Sequence, residues 1–432
     1  MKELVGVDNS LGIYISVPFC RAKCTYCNFA SGVFGMERMD AYVKRICAEM
    51  QGAHERVVGL GPLRGLGAVE FPKQVDSIYL GGGTPSLLNA EQVRRLFATL
   101  RNEFEVSSNA EITLECAPGQ LSEETLQAML AAGVNRVSFG VQSFVDDEAA
   151  AVGRLHTRTM CLDEIERMRT AGVGNLNVDL IVGLPRQTRE SWQESIEIAM
   201  ASDVPHVSVY MLEVDEDSRL GREVLMHGAK YGADKTPSED ETAEWYAEAC
   251  ERLNAAGIRQ YEISNFARIG FESRHNIRYW QRGPYLGFGL DAHSMLRAGE
   301  CGVRWANGDD LDGYLGTSDR EPGTSERQSA GVLNVVSAGN RRFEPEWIAR
   351  EQAFEEAMFL GLRMNAGIDL DALRAEFGEE LVVDAMAAIV EIEEVGLIER
   401  EDTRLRLTQN GRMVSNEVFS RLLVAEPVRE AM

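Results

Sequence analysis

Three cysteines lie close together near the start of the chain. Cys20, Cys24 and Cys27 have the spacing Cys-x3-Cys-x2-Cys. Three thiolates in one loop could bind one metal centre, and they are one short of the four that usually hold a [4Fe–4S] cluster. The fourth iron would then keep an open coordination position for a ligand from outside the chain. The spacing therefore predicts an iron–sulfur cluster with one open iron.

Zinc and disulfide bonds are the alternatives for these thiols. Structural zinc uses four protein ligands in closed pairs, and no second Cys-x2-Cys or Cys-x2-His pair follows the loop. A disulfide fits poorly, because the chain shows no secretory signal and the trio is odd in number. The remaining cysteines lie far apart in sequence and are expected to be free thiols: Cys47, Cys116, Cys161, Cys250 and Cys301.

The residues before the loop predict the element that positions it. Residues 12–17 are mostly aliphatic or β-branched and run into Pro18, which is typical of a short buried strand. Strands and helices then alternate up to Leu212, which predicts βαβ units and a parallel sheet. Further strands are predicted over 75–80, 110–115, 134–139, 175–182 and 206–212, and helices over 36–51, 90–104, 122–132, 159–171 and 189–201.

Six such strands predict an α/β fold, a partial (β/α)6 barrel of the TIM type. Ligands of these folds collect at the carboxyl ends of the strands, which is where the cysteine loop would lie. The Gly- and Pro-rich stretch 52–73 is interpreted as a loop or insertion, 215–237 as a polar loop, and 239–256 as a helix.

The chain is expected to divide into the barrel with its extension, residues 1–298, an irregular connection, 299–343, and a C-terminal helical module, 344–432. Three helices followed by a short hairpin give that module a pattern that resembles a winged helix. We favour a packing domain that covers the barrel over a DNA-binding domain, because the chain is strongly acidic.

Composition limits the classes of partner. The 432 residues carry a formal net charge of −24, which argues against a nucleic-acid partner and a non-specific hold on anionic lipid, since both need a basic surface. No apolar run approaches the length that spans a bilayer, and the first residues lack a signal-peptide core. A cytoplasmic, globular protein that does not span a membrane is expected.

The cysteine spacing, Tyr26 inside it and the stretch Tyr14-Ile15-Ser16-Val17-Pro18-Phe19-Cys20 resemble the radical S-adenosylmethionine (SAM) superfamily. The resemblance is narrower to the branch of oxygen-independent coproporphyrinogen III dehydrogenases and HemW-type heme chaperones. It implies a partial (β/α)6 barrel in which the amino and carboxylate groups of SAM chelate the open iron. One electron from the cluster then splits SAM to give a deoxyadenosyl radical.

The same resemblance implies a set of SAM contacts at the strand ends. Arg154 is expected to face the carboxylate of SAM, and the acidic and amide groups its ammonium and ribose hydroxyls. Alternatives stay open, because the glycines after the second strand could form only a tight turn and Asp179 could pair with Arg154. The implied set is Tyr14, Tyr26, Gly82, Gly83, Thr84, Glu115, Gln142, Arg154 and Asp179.

Two departures separate the relatives within the branch. The dehydrogenases resemble Cys-x3-Cys-x2-Cys-x-Cys with a longer preceding segment, whereas this chain has Phe29 at the last position and nineteen residues before Cys20. Residues 261–266 (Tyr-Glu-Ile-Ser-Asn-Phe) and 275–280 (His-Asn-Ile-Arg-Tyr-Trp) resemble the HemW pattern, in which HNxxYW is tied to heme binding.

In that interpretation His275 is the heme ligand, since neutral imidazole ligates haem iron widely. A structural histidine is the alternative, and His293 is a weaker candidate. The sequence therefore predicts a heme chaperone that uses SAM, a [4Fe–4S] cluster and heme, delivers heme to a recipient apoprotein and could form a homodimer. A radical SAM oxidoreductase acting on coproporphyrinogen III is the alternative, although activity of that kind is not expected. A transcriptional regulator is a distant third.

Overall fold

Strands and helices alternate along most of the chain. The structure, a computed structural model, describes residues 10–60, 69–316 and 345–423. The strands are β1 (Leu11–Val17), β2 (Gln74–Gly82), β3 (Glu105–Cys116), β4 (Arg136–Gln142), β5 (Asn175–Val182), β6 (His206–Met211), β7 (Arg259–Gln260), β8 (Asn265–Ala267), β9 (Tyr285–Phe288), β10 (His293–Ala298), β11 (Cys301–Ala306), β12 (Glu346–Ile348), β13 (Ile368–Asp369), β14 (Ile398–Glu401) and β15 (Arg404–Leu407).

Helices occur in both the barrel and the C-terminal module. They are α1 (Met39–Gln51), α2 (Ala53–Leu60), α3 (Ala90–Glu103), α4 (Glu123–Ala131), α5 (Asp146–Ala151), α6 (Arg158–Thr170), α7 (Arg189–Ala201), α8 (Arg219–Leu225), α9 (Glu239–Ala255), α10 (Arg274–Trp280), α11 (Leu311–Gly316), α12 (Arg350–Leu362), α13 (Leu370–Phe377), α14 (Glu379–Glu394), α15 (Gln409–Met413) and α16 (Ser415–Leu422).

The large sheet is parallel at its centre and antiparallel at its edges. Strands β1 to β6 are neighbours in chain order and run parallel. Strand β9 pairs parallel with β1 and continues through antiparallel β10, β11 and β12, while β8 and β7 extend the other edge beyond β6. Among the described residues, no pairing joins the two edge strands β12 and β7, so the sheet is an open α/β arrangement and the predicted fold class is confirmed.

Burial and capping explain why the alternation forms. Ile13 and Ile15 of β1 are fully buried, as expected of a strand with helices on its outer face. Ser122 caps α4, since its side chain accepts a hydrogen bond from the backbone N–H of Thr125 at 3.1 Å. Asn89 forms a capping box with Gln92 at the start of α3. Each cap fixes where a strand-to-helix loop ends.

The structure differs from the sequence prediction in two loops. Residues 53–60, inside the predicted loop 52–73, form helix α2, because Ala53, Val57 and Leu60 recur with helical spacing and are buried. Residues 61–68 lie outside the described part of the chain. The predicted polar loop 215–237 contains α8 and a 3-10 turn.

The C-terminal module has its own core. Helices α12 to α14 and the three-stranded sheet β13-β15-β14 enclose it, so the predicted helices and hairpin are present. The connection 299–343 is less irregular than expected, since β11 pairs with β10 in the large sheet; residues 317–344 lie outside the described part. The three proposed domain limits stay a prediction. Within the described residues, no helix is long and apolar enough to cross a bilayer.

Candidate functional site

A cavity of about 410 Å³ opens at the carboxyl ends of the parallel strands. It is the region where strand-end loops of a (β/α) barrel bring side chains together. The three cysteines of the loop after β1 line it, and so do most of the predicted SAM contacts. The predicted residues in its wall are Cys20, Cys24, Tyr26, Cys27, Gly82, Gly83, Thr84, Glu115, Gln142, Arg154 and Asp179.

Backbone hydrogen bonds hold the cysteine loop. The N–H of Cys20 donates to the carbonyl of Gly32 at 2.9 Å, and the N–H of Gly32 donates back to Pro18 at 2.9 Å. The N–H of Thr25 donates to the carbonyl of Val152 at 3.0 Å, which ties the loop to the segment after α5. Burial, aided by the neighbouring Cys27 and Cys24, raises the pKa of the Cys20 thiol.

The three cysteines line one wall of the cavity. Among the residues that the structure describes, no three His, Cys, Asp or Glu side chains converge closely enough to hold a single metal ion. A zinc ion needs its ligands around one point, whereas a [4Fe–4S] cluster binds each thiolate on a separate iron. Which metal centre these three thiols would hold stays a prediction.

Glycines after β2 allow the backbone to approach the cysteine loop. A Cβ atom on Gly83 would lie 2.7 Å from the carbonyl oxygen of Val17 and 2.8 Å from the carbonyl carbon of Pro18, so a side chain there would clash. Gly82 has a φ of +97°, which glycine adopts readily. Any residue other than glycine at position 83 would push the cysteine loop away from β2.

Two carboxylates face the cavity from β3 and β5. Burial and, after it, the nearby Asp179 raise the pKa of Glu115 to about 7, although hydrogen bonds from Tyr79 and the backbone of Gly82 oppose the rise. Burial also raises the pKa of Asp179, against hydrogen bonds that include Ser208 and Asn177. A cationic ligand group in this cavity would favour ionisation of both carboxyls.

Arg154 contacts a cysteine rather than Asp179. Its Nη1 donates to the sulfur of Cys24 at 3.3 Å, its Nη2 donates to the carbonyl of Gly140, and its buried Nε has no partner within the described residues. The thiols and phenol around it raise the pKa of Arg154, so the guanidinium stays charged. An unsatisfied buried donor at a cavity wall is suited to a ligand carboxylate. Gln142 lies nearby with a φ of 69°.

Tyr14 lies beside the cavity, where its ring stacks on Tyr79 with centroids 6.2 Å apart. Burial raises the pKa of Tyr26, whose hydroxyl contacts Cys24. His275 is buried behind the wall: its Nδ1 lies 3.1 Å from the hydroxyl of Ser77 and its Nε2 2.8 Å from that of Tyr279. The structure thus gathers the cysteines and SAM candidates around one cavity and leaves His275 outside it.

Sequence reasoning missed several polar residues of the wall. They follow a two-residue period along β4, β5 and β6, which places alternate side chains inside the barrel. Counting back in steps of two residues from Gln142 and from Asp179 would have identified most of these residues. They are Arg136, Ser138, Asn177, Ser208 and Tyr210, and Asn276 of α10 joins them.

Comparison with known proteins agrees with this geometry. Residues 14–199 match the Radical SAM superfamily, and residues 348–414 match the HemN C-terminal domain. The chain is similar to the solved structure of coproporphyrinogen III oxidase (HemN) from Escherichia coli, with a TM-score of 0.77 and 21% identity over 96% of this chain and 90% of that chain. The match over residues 14–199 identifies a radical SAM domain in this chain.

Similarity over 95% of the chain shows which family within the radical SAM proteins the chain belongs to. The chain is 31% identical over 411 residues to the heme chaperone HemW of Lactococcus lactis subsp. lactis, covering 95% of this chain and 97% of that protein. It is 32% identical over 413 residues to HemW of Bacillus subtilis, covering 95% and 98%. The chain belongs to the HemW family.

Proposed function

We propose that this protein is a heme chaperone that holds a SAM-liganded [4Fe–4S] cluster and delivers heme to a recipient protein. The observation that carries the proposal is the shared cavity, whose wall contains the three cysteines together with Glu115, Asp179 and Arg154. Similarity to proteins named heme chaperone HemW over 95% of the chain supports the choice of function.

The cavity offers complementary groups for SAM. Cys20, Cys24 and Cys27 would hold three irons of a cluster, which supplies one-electron chemistry when bound. Arg154 would bind the carboxylate of SAM, while Glu115 and Asp179 would accept hydrogen bonds from its ammonium and ribose hydroxyls. The glycines after β2 leave room for the methionine end of SAM.

Heme is proposed to bind at the His-Asn-x-x-Tyr-Trp segment with His275 as ligand. Burial, together with the neighbouring Arg278, lowers the pKa of His275 to about 3, so the imidazole is neutral, the form that ligates iron. Both ring nitrogens are engaged by Ser77 and Tyr279. Because His275 is buried, heme can reach it only if α10 leaves its position, which breaks the contact with Ser77 at a cost of about 1 kcal/mol.

Heme titration of anaerobically reconstituted protein tests the proposal. The wild type should show the Soret band of imidazole-bound heme, and His275→Ala should shift or weaken the band while cluster absorbance is retained. His293→Ala is the matched control, because His293 is an exposed histidine and should leave the band unchanged. A band lost in His293→Ala and kept in His275→Ala would transfer the ligand role to His293. Absence of heme binding in the wild type would contradict the proposed function.

A radical SAM oxidoreductase acting on coproporphyrinogen III in porphyrin biosynthesis is the second candidate. The HemN-like fold favours it. Phe29, which stands where the dehydrogenase pattern has a fourth cysteine, argues against it, and its ring is 65% exposed at the cavity rim. Identity of the recipient, a homodimer and a cytoplasmic location stay predictions.

A further inference from the structure

A run of hydrogen bonds, each buried or partly buried, connects Asp179 at the cavity wall to the start of α10. The backbone N–H of Ser273 donates to the hydroxyl of Tyr261 at 3.2 Å, and that hydroxyl lies 3.0 Å from Nε2 of His206. Nδ1 of His206 lies 2.6 Å from Oδ1 of Asn177, whose Nδ2 donates to Asp179 at 2.7 Å. The side chains of Tyr261, His206 and Asn177 thus form a link. It joins Asp179, a proposed SAM contact, to α10, the helix that carries His275.

Only one arrangement of protons satisfies this run. Because Asn177 donates to Asp179 through its amide nitrogen, its oxygen must accept from Nδ1–H of His206. Nε2 of His206 then accepts from the hydroxyl of Tyr261, whose oxygen accepts from Ser273. Burial and the cation of Arg136 hold the pKa of His206 well below its usual range, so the ring is neutral as this arrangement requires.

The run ends at the cap of α10. The side chain of Ser273 accepts from the backbone N–H of Asn276 at 3.3 Å, which is the N-cap contact of the helix. His206 and Ser273 are fully buried and Asn177 is 3% exposed, so a broken link leaves a polar group without water. A change at one end of the run is therefore costly unless the other end moves with it.

We propose that Tyr261 and His206 are positioning residues that couple SAM binding at Asp179 to the seating of α10. The proposal rests on the SAM site proposed above. A ligand that fixes the carboxylate of Asp179 also fixes Asn177 and His206, so α10 leaves its position less often. By linkage, displacement of α10 weakens SAM binding by the same factor. Since His275 lies on α10, bound SAM would oppose heme ligation.

Hydrogen exchange of the α10 backbone amides in cluster-loaded protein tests this coupling without heme. In the wild type, SAM should slow exchange over residues 273–280 by about fivefold or more. In Tyr261→Phe the slowing should disappear, although SAM still binds by calorimetry, because His206 continues to hold Asn177. The slowing should also disappear in His206→Asn while SAM still binds. The shorter asparagine side chain can donate to Asn177 but cannot reach Tyr261.

Tyr246→Phe is the matched control. Tyr246 is a buried tyrosine whose hydroxyl donates to the carbonyl of Ile263 and is no part of the run, so the variant should keep the wild-type slowing. Loss of slowing in this control as well would show general loosening and overturn the proposal.

Slowing that persists in both Tyr261→Phe and His206→Asn would also overturn the proposal and assign the coupling to the stacking of Tyr79 on His275, whose centroids are 5.3 Å apart. If SAM leaves the exchange of residues 273–280 unchanged in the wild type, the proposal is also overturned. Failure of the heme proposal alone would leave these exchange results unchanged, so the two failures are distinguishable.

Discussion

Replacement of Cys20, Cys24 and Cys27 by alanine should reduce bound iron from about four atoms per chain to near zero. The three thiols line one cavity wall and are the proposed ligands of a [4Fe–4S] cluster. Iron and sulfide analysis after anaerobic reconstitution measures the effect. Loss of the cluster should also abolish the calorimetric SAM signal, because the open iron would be gone.

Cys116 provides a matched control for the trio. It is a buried cysteine that lines the same cavity, and burial raises the pKa of its thiol to about 12. Cys116 ends β3 and lies outside the cysteine loop, so it is not a proposed iron ligand. Cys116→Ala should keep about four irons per chain, and full iron retention in the triple variant would refute a cluster at the loop.

Arg154→Ala should weaken SAM binding to cluster-loaded protein by about 10- to 150-fold, the equivalent of 1.5–3 kcal/mol for a lost hydrogen bond to a charged group. The guanidinium is positioned between Cys24 and Gly140 with its Nε still free for a ligand. Arg154→Lys should recover only part of the affinity, because an ammonium lacks the planar fork. Calorimetry with matched iron content measures both variants.

Arg158→Ala controls for loss of charge in the same segment. Arg158 pairs with Glu194 at 2.6 Å at the start of α6, outside the cavity wall. SAM affinity should stay within about twofold of the wild type, since exposed ion pairs contribute little. Equal affinity in Arg154→Ala and the wild type would remove Arg154 from the SAM site.

The parallel core was predictable because its signals are local. Short aliphatic strands, capped helices such as the one after Ser122, and their regular alternation each lie within a few residues. Residues 52–73 misled the prediction, since glycine and proline in their second part concealed the helical spacing of Ala53 and Val57. The strands β7 to β12 lacked the alternation with helices that identified the others.

The partners of buried polar groups could not be read from the sequence. His275 and Ser77 are separated by 198 positions, and Arg154 and Cys24 by 130, so nothing local connects them. The family resemblance predicted that Arg154 contacts SAM. It did not predict the hydrogen bond from Arg154 to Cys24. The run from Tyr261 to Asp179 likewise depends on side chains that only the folded sheet brings together.

One assay on the cluster-loaded protein separates chaperone from enzyme most directly. Anaerobic protein is supplied with SAM, a reductant and coproporphyrinogen III in one sample, and with heme and a heme-free acceptor protein in another. Phe29 in place of a fourth cysteine and the motif around His275 predict heme transfer to the acceptor without any protoporphyrinogen. Formation of protoporphyrinogen, with no heme transferred, would contradict the chaperone function and establish the oxidoreductase in its place.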